Sequence, residues 1–260
     1  MAVPGTVAGM ALAHRRYGTR DWGDLLAPAV ALAEEGMLLD WYSSLLIASA
    51  ARQLAQDPDA AALFMADGQW PDIAGWTTAS AARLDQRVHA ATLRRLADHG
   101  AQDFYHGDIG RMLVDDVRAK GGCLSMEDLR SYQAKAHAPR TVRYRDAVIH
   151  APSGLSAGAE LVTALQQMQA AFDPGDAPSA ASYAALASGL GDAYRDRLAH
   201  AGDTGESPRA PACTTSFSVV DRHGNMVNVT QTLLSMFGSH VVSGQTGMLL
   251  NNGIMWFDPE

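Results

Sequence analysis

The bond between Cys213 and Thr214 is where the residue types of this chain could do covalent chemistry. A small, polar loop with two prolines, Gly202-Asp-Thr-Gly-Glu-Ser-Pro-Arg-Ala-Pro-Ala212, runs straight into a strand headed by Thr214 and Thr215. If that bond were cut, Thr214 would carry a hydroxyl nucleophile and a free α-amine on one residue. An α-amine titrates at about 7.7–8.0, so it can act as general base for its own hydroxyl without a His or an Asp. From spacing alone, Thr-Thr at the head of a strand is more simply β-propensity, and that plainer reading stands beside the catalytic one. A second candidate nucleophile is Ser156 in Gly154-Leu-Ser-Ala-Gly158, a G-x-S-x-G that follows a strand and precedes a helix, with Asp221 and His240 as formal partners. That architecture needs several parallel strands ahead of the nucleophile, and residues 1–138 offer almost none; a Gly/Ser turn is the simpler reading.

Other chemistries find no support. The nine histidines are scattered, without H-E-x-x-H or a Cys/His cluster at zinc spacing, and neither G-x-G-x-x-G nor a P-loop occurs, so no metal or cofactor is called for. The chain has 260 residues, 20 Lys+Arg against 28 Asp+Glu and a net charge of −8, with no basic block; nucleic acid and anionic membranes are poor partners for it. Cys123 and Cys213 cannot make a disulfide framework. No run of about 18 apolar residues is present, and the first residues show no basic or apolar leader, so no membrane span and no signal peptide are read. Localisation stays open. The chain stops just after an apolar stretch, at Asp258-Pro-Glu260, and reads as a fragment.

The elements that must hold Thr214 read as helices first and strands last, an α+β or layered α/β/α class. Apolar residues at helical spacing mark Thr6–Tyr17, Trp22–Glu35, Asp40–Leu54, Thr77–His99 and Asp108–Lys120, and Ser125 with Asp128 caps a short helix to Gln133. Thr141–Tyr144 and Ala147–His150 read as a hairpin, followed by helices over Leu161–Ala171 and Ser179–Leu198. Thr215–Asp221 and Met226–Thr232 form a hairpin about Arg222-His-Gly-Asn225, and Phe237–Ser243 and Met248–Asn251 read as further short strands. These make an antiparallel meander.

Several long motifs then carry a resemblance. Thr214-Thr-Ser-Phe-Ser-Val-Val-Asp-Arg-His-Gly-Asn225, Val229-Thr-Gln-Thr-Leu233, Phe237-Gly-Ser239 and Thr246-Gly-Met-Leu-Leu-Asn-Asn252 resemble the gamma-glutamyltranspeptidases. So, in the same order upstream, do Val3-Pro-Gly-Thr-Val-Ala-Gly9, Tyr17-Gly-Thr19, Leu26-Ala-Pro-Ala29 and Gly121-Gly-Cys-Leu-Ser-Met-Glu-Asp-Leu129. The resemblance implies an N-terminal-nucleophile hydrolase, a layered αββα sandwich made as one inactive precursor. It implies self-cleavage between Cys213 and Thr214, giving a large-subunit region at 1–213 and the start of a small-subunit region at 214–260. Thr214 would then attack a γ-glutamyl or related amide such as glutathione, forming an acyl-enzyme that water or an amine resolves. Thr232 matches the family threonine that hydrogen-bonds near the nucleophile. Members are often periplasmic or extracellular.

Departures from the family's pattern bear on specificity. Ser216 stands where a His is common, and Leu234 where an Asn helps hold the donor's α-carboxylate end. After Asn251-Asn252, Gly253 and Trp256 stand where a polar residue and an Asp bind the donor's α-amino group. Leu and Trp cannot accept hydrogen bonds from a buried ammonium. Leu234, Asn252, Gly253 and Trp256 are therefore the candidate substrate-binding positions, with γ-glutamyl recognition rewritten. Nothing in the chain matches the family's Arg segment or its later Ser-Ser and Gly-Gly segments, so the 260-residue piece alone is expected to turn over little or nothing. The alternative, from another class, is a catalytically silent or truncated relative that acts only as a folded or partner-binding domain.

Overall fold

The computed structural model describes residues 1–71, 82–153, 156–172, 175, 177–200 and 212–256. In chain order the elements are α1 (Thr6–Tyr17), α2 (Trp22–Glu35), β1 (Met37–Leu38), α3 (Trp41–Leu54), α4 (Pro58–Phe64), β2 (Arg83–Leu84), α5 (Arg87–His99), α6 (Ala101–His106), α7 (Asp108–Ala119) and α8 (Met126–Ser131). Then come β3 (Arg140–Tyr144), β4 (Ala147–Ala151), α9 (Gly158–Ala171), α10 (Ala180–His200), β5 (Ala212–Val220), β6 (Met226–Ser235) and a 3-10 turn over Gly253–Trp256. Among the described residues three sheets form, each two-stranded and antiparallel: β1–β2, β3–β4 and β5–β6. The chain divides into two compact units, Met1–Ala134 with Arg209–Glu260, and Lys135–Pro208.

The described residues of the first unit bury two apolar clusters. Ile47, Ala50, Ala51 and Leu54 of α3 pack with Ala60 and Phe64 of α4 and with Leu39 and Leu84. Ile109, Leu113, Val114 and Val117, one face of α7, pack with Phe104, Tyr105, Leu124 and Leu129. The segment after β6 enters both: Val242 is buried in the first cluster and Leu250 in the second. That shared segment ties the strand hairpin to the helical scaffold. In the second unit α9 and α10 lie close together, because small residues face each other. A methyl on Gly189 would come within 3.0 Å of the Ala164 carbonyl, and Ala164, Ala185 and Ala193 are buried.

Local chemistry explains most boundaries. Ser125 and Asp128 form the expected capping box, each side chain accepting from the other's backbone N–H, and α8 ends at Ser131. Asp57 caps α4 with Pro58 in its first turn, a helix the periodicity misses because it spans only 7 residues. Three expectations need correction. Residues 82–86 are not the middle of a helix begun at Thr77: Arg83 and Leu84 pair with Leu38 and Met37, Leu84 is buried, and helix begins only at Arg87. Residues 77–81 of that expected helix lie outside the described residues. Phe237–Ser243 and Met248–Asn251 do not form the expected strands: the chain turns over residues 236–239, and the two segments meet at one antiparallel bridge, Val242 with Leu249. Left-handed backbone at Phe237 (φ 58°), Gly238 (φ 53°), His240 (φ 61°) and Gly247 (φ 68°) breaks any extended run there. The proline loop expected over 202–212 lies, up to residue 211, outside the described residues.

Candidate functional site

The β5–β6 hairpin brings the two candidate threonines face to face. Thr214 stands opposite Thr232 in register, and its Oγ1 donates to Thr232 Oγ1 at 3.3 Å. Alternation along the strands puts Ser216 opposite Thr230 on the same face, hydroxyl to hydroxyl at 3.2 Å, while Phe217, Val219, Val227 and Val229 take the other face. One face of the hairpin is thus a ladder of hydroxyls with Thr214 near its base.

The register shifts at the candidate cleavage bond. Cys213 pairs with Leu234 but Thr214 pairs with Thr232, so Leu233 is an extra residue bulged out of β6 opposite the Cys213–Thr214 bond. The bulge leaves Leu234 at φ 81°, and in that conformation its backbone N–H donates to Thr232 Oγ1 at 2.9 Å. Thr232 Oγ1 therefore accepts from both Thr214 and Leu234, which fixes the direction of the Thr214 hydroxyl.

Asn252 closes the base of the hairpin. Its backbone N–H donates to Leu233 O at 3.0 Å, its side-chain oxygen accepts from Ser235 N at 3.0 Å, and its amide nitrogen donates to Ser235 Oγ at 2.8 Å. Gly253 is buried, and its N–H donates to Asn251 Oδ1 at 2.9 Å. Trp256 ends the 3-10 turn. Of the sequence-derived candidates, then, Thr214 and Thr232 touch, Leu234 and Asn252 hold their surroundings, and Gly253 lies on the turn just beyond.

Two carboxylates that no motif marks, Asp57 buried and Asp116 half-buried, anchor the segment after β6. Asp116 of α7 accepts from Ser243 Oγ at 2.5 Å, Gln245 N at 2.9 Å and Gln245 Nε2 at 2.6 Å. Asp57 accepts from Val242 N at 3.2 Å and from Ala60 N at 2.9 Å, and pairs with Lys120 at 2.5 Å. Burial pushes both carboxyls up, but these donors outweigh it and hold both below the ordinary value. Ser243 and Thr246 are fully buried and bonded to each other at 2.6 Å, and Thr92 of α5 donates to Thr246 O at 2.8 Å. The only sequence signal for Asp57 is its Asp-Pro helix cap; for Asp116 there is none, since its partners lie more than 120 positions away.

The rival nucleophile finds no such support. The Ser156 hydroxyl donates to Pro152 O at 3.2 Å and Ser153 O at 3.4 Å, as a turn residue ahead of α9 does. Gly154 and Leu155 of its motif lie outside the described residues. Asp221 is consumed by the β5–β6 turn, accepting from His223 N, Asn225 N and Asn225 Nδ2. His240 lies past the other end of β6, on the order of 30 Å of strand away from Asp221. Among the described residues no three His, Cys, Asp or Glu side chains come together as a metal group, and no helix is long and apolar enough to cross a membrane.

Similar proteins place this architecture. Gamma-glutamyltranspeptidase from Helicobacter pylori shares the fold with a TM-score of 0.69 at 28% identity, over 79% of this chain and 58% of that one. Cephalosporin acylase from Bacillus halodurans shares it with a TM-score of 0.77 over 96% of this chain and 51% of that one, at 21% identity. The chain belongs to the gamma-glutamyltranspeptidase family, which it matches over residues 1–212 and 204–260. It is 31% identical over 296 residues to the Acylase ACY 1 proenzyme of Pseudomonas sp. (strain V22), and 32% identical over 287 residues to the glutathione hydrolase proenzyme of Pseudomonas aeruginosa. These alignments cover 100% and 96% of this chain but 52% and 50% of the relatives, so the chain spans about half the length of the relatives it matches.

Proposed function

We propose that the protein containing this chain is a self-processing amidohydrolase or acyltransferase whose nucleophile is Thr214. The observation that carries the reading is the hydroxyl pair Thr214–Thr232, at 3.3 Å, beside a bulge opposite the Cys213–Thr214 bond. In the precursor, Thr214 Oγ1 attacks the Cys213 carbonyl carbon, the C–N bond breaks, and the hydroxyl proton passes to the Thr214 nitrogen. Water then hydrolyses the resulting ester, leaving a carboxylate on Cys213 and a free amine on Thr214. In turnover the same hydroxyl attacks a substrate amide, the amine leaves with the proton, and water or a second amine takes the acyl group from the threonine ester. Family membership and the proenzyme relatives support this reading, with glutathione-like γ-glutamyl amides or other acyl amides as the substrate class. The large and small pieces would stay together as one layered αββα body, with further strands covering the hairpin, whose Phe217, Val219, Val220 and Val227 are exposed here.

The test is intact mass and N-terminal sequencing of the full-length protein. The expected result is a cut after Cys213, with the new chain beginning Thr-Thr-Ser-Phe, absent in Thr214→Ala and present in Ser156→Ala. Thr232→Val should slow the cut about tenfold or more, the worth of one hydrogen bond to the attacking hydroxyl. A folded full-length protein that stays uncut would overturn the proposal and leave the silent relative in its place.

A further inference from the structure

The bulge opposite the Cys213–Thr214 bond is held from a single residue. Leu233 C=O and Leu234 N–H are the two ends of one peptide group, and a peptide group is planar, so fixing one end aims the other. Asn252 N–H donates to Leu233 O at 3.0 Å, and at the opposite end Leu234 N–H donates to Thr232 Oγ1 at 2.9 Å. Thr232 Oγ1 in turn accepts from Thr214 Oγ1 at 3.3 Å. A chain of hydrogen bonds therefore runs from Asn252, through one peptide plane, to the proposed nucleophile, and such bonds polarise one another.

The Asn252 side chain keeps its own backbone N–H in place. Its Oδ1 accepts from Ser235 N at 3.0 Å, and its Nδ2 donates to Ser235 Oγ at 2.8 Å and to Met255 Sδ at 3.2 Å. Ser235 N can only donate, so the oxygen of the amide, and not its nitrogen, faces it. The bonds to Leu233 and Ser235 bracket Leu234, which sits at φ 81°, where an L residue is strained. Once released, Leu234 gains by returning to negative φ, and that rotation turns the 233–234 peptide plane and takes its N–H off Thr232. The oxygen and both amide hydrogens of Asn252 are engaged within the chain, which suits a clamp better than a substrate contact.

We infer that Asn252 is a positioning residue of the proposed Thr214 enzyme: it clamps the bulge at Leu233 so that Leu234 N–H holds Thr232 Oγ1 as acceptor for the Thr214 hydroxyl. The inference rests on the Thr214 reading. It differs from a substrate-binding role in one measurable respect. Self-cleavage involves no substrate, yet it depends on Asn252.

The experiment follows self-cleavage of the full-length protein by intact mass in wild type, Asn252→Ala, Asn252→Asp, Thr232→Val and the double variant Asn252→Ala/Thr232→Val. Asn252→Ala is expected to slow the cut about tenfold, as loss of one well-aimed hydrogen bond at a reacting hydroxyl does. Asn252→Asp should stay within about threefold of wild type, because one carboxylate oxygen still accepts from Ser235 N and the other can take the Ser235 hydroxyl. The double variant should cut as slowly as Thr232→Val alone, since Asn252 acts through Thr232. Gly224→Ala strains the far turn of the same hairpin, at φ 82°, and is the stability control: a lower melting temperature with an unchanged cut. If Asn252→Ala does not fold, Ser235→Ala removes only the hydroxyl from the clamp and should slow the cut about threefold, again with no added effect beside Thr232→Val. A wild-type rate in Asn252→Ala or, in its place, Ser235→Ala, an equal slowing in the Thr232→Val background, or no rescue by Asn252→Asp would overturn the clamp while leaving Thr214 as nucleophile. A folded wild-type protein that never cuts after Cys213 would sink the nucleophile reading, and this one with it.

Discussion

Replacing Asp116 with alanine removes the carboxylate that ties the segment after β6 to α7. Three donors lose their acceptor: Ser243 Oγ, Gln245 N and Gln245 Nε2. Ser243 is fully buried, so its hydroxyl is left without an acceptor at a cost of about 1–3 kcal/mol; Gln245 is exposed and can turn to water, so its two bonds add only about 1 kcal/mol. The sum is about 3 kcal/mol, which for a chain of this size lowers the melting temperature by about 6–12 °C. Asp116→Asn keeps one acceptor oxygen and should cost about half as much. Thermal and urea unfolding followed by circular dichroism at neutral pH reads both, with Gln245→Ala as the control that should cost about 1 kcal/mol or less. An Asp116→Ala protein melting within about 2 °C of wild type would refute the idea that this carboxylate anchors the segment.

Acid should destabilise the protein within a definite window. Asp57, Asp103 and Asp116 all have lowered values in the fold, Asp103 reaching about 2 through its hydrogen bonds from Arg95, so the unfolded chain binds more protons as pH falls. Their stabilisation is complete above about pH 4 and is lost as pH drops toward about 2; Asp103, whose side chain is 10% exposed, contributes on the order of 2 kcal/mol of it. A melting temperature that holds level between about pH 4 and about pH 2 would contradict this. Gly238→Ala should cost about 3 kcal/mol, since at φ 53° its new methyl would come 2.3 Å from Leu250 O. Gly224→Ala, at φ 82° with nothing within 4 Å, should cost only about 1 kcal/mol; equal losses at the two sites, measured by urea unfolding, would remove the steric argument.

Much of this protein is legible along the chain because the governing interactions are local. Helices α1, α2 and α7 follow the spacing of their apolar residues, the α8 cap is written in Ser125 and Asp128, and the β5–β6 turn in Asp221 and Gly224. Thr214 stands out by following a proline-containing run of small and polar residues and by the motif it opens. The pairing of Thr214 with Thr232 follows from hairpin register, but the bulge that aims Leu234 N–H at Thr232 does not. A slip of one residue in β6 leaves the same hydrophobic pattern legible and changes which groups meet.

The course of the chain after β6, by contrast, is set by tertiary contacts. Phe237–Ser243 and Met248–Asn251 have strand-like composition, yet the first begins in a turn and the two meet at only one bridge, because the chain is held at points far away in sequence. Asp57 takes Val242, Asp116 takes Ser243 and Gln245, and Asn251 takes Ala2, across separations of 127 to 249 residues. These bonds, with Val242 and Leu250 buried in two different cores, stabilise left-handed backbone that local preference disfavours. Periodicity reports which face a residue buries; which distant donor a carboxylate such as Asp116 receives is settled only when the helices have packed.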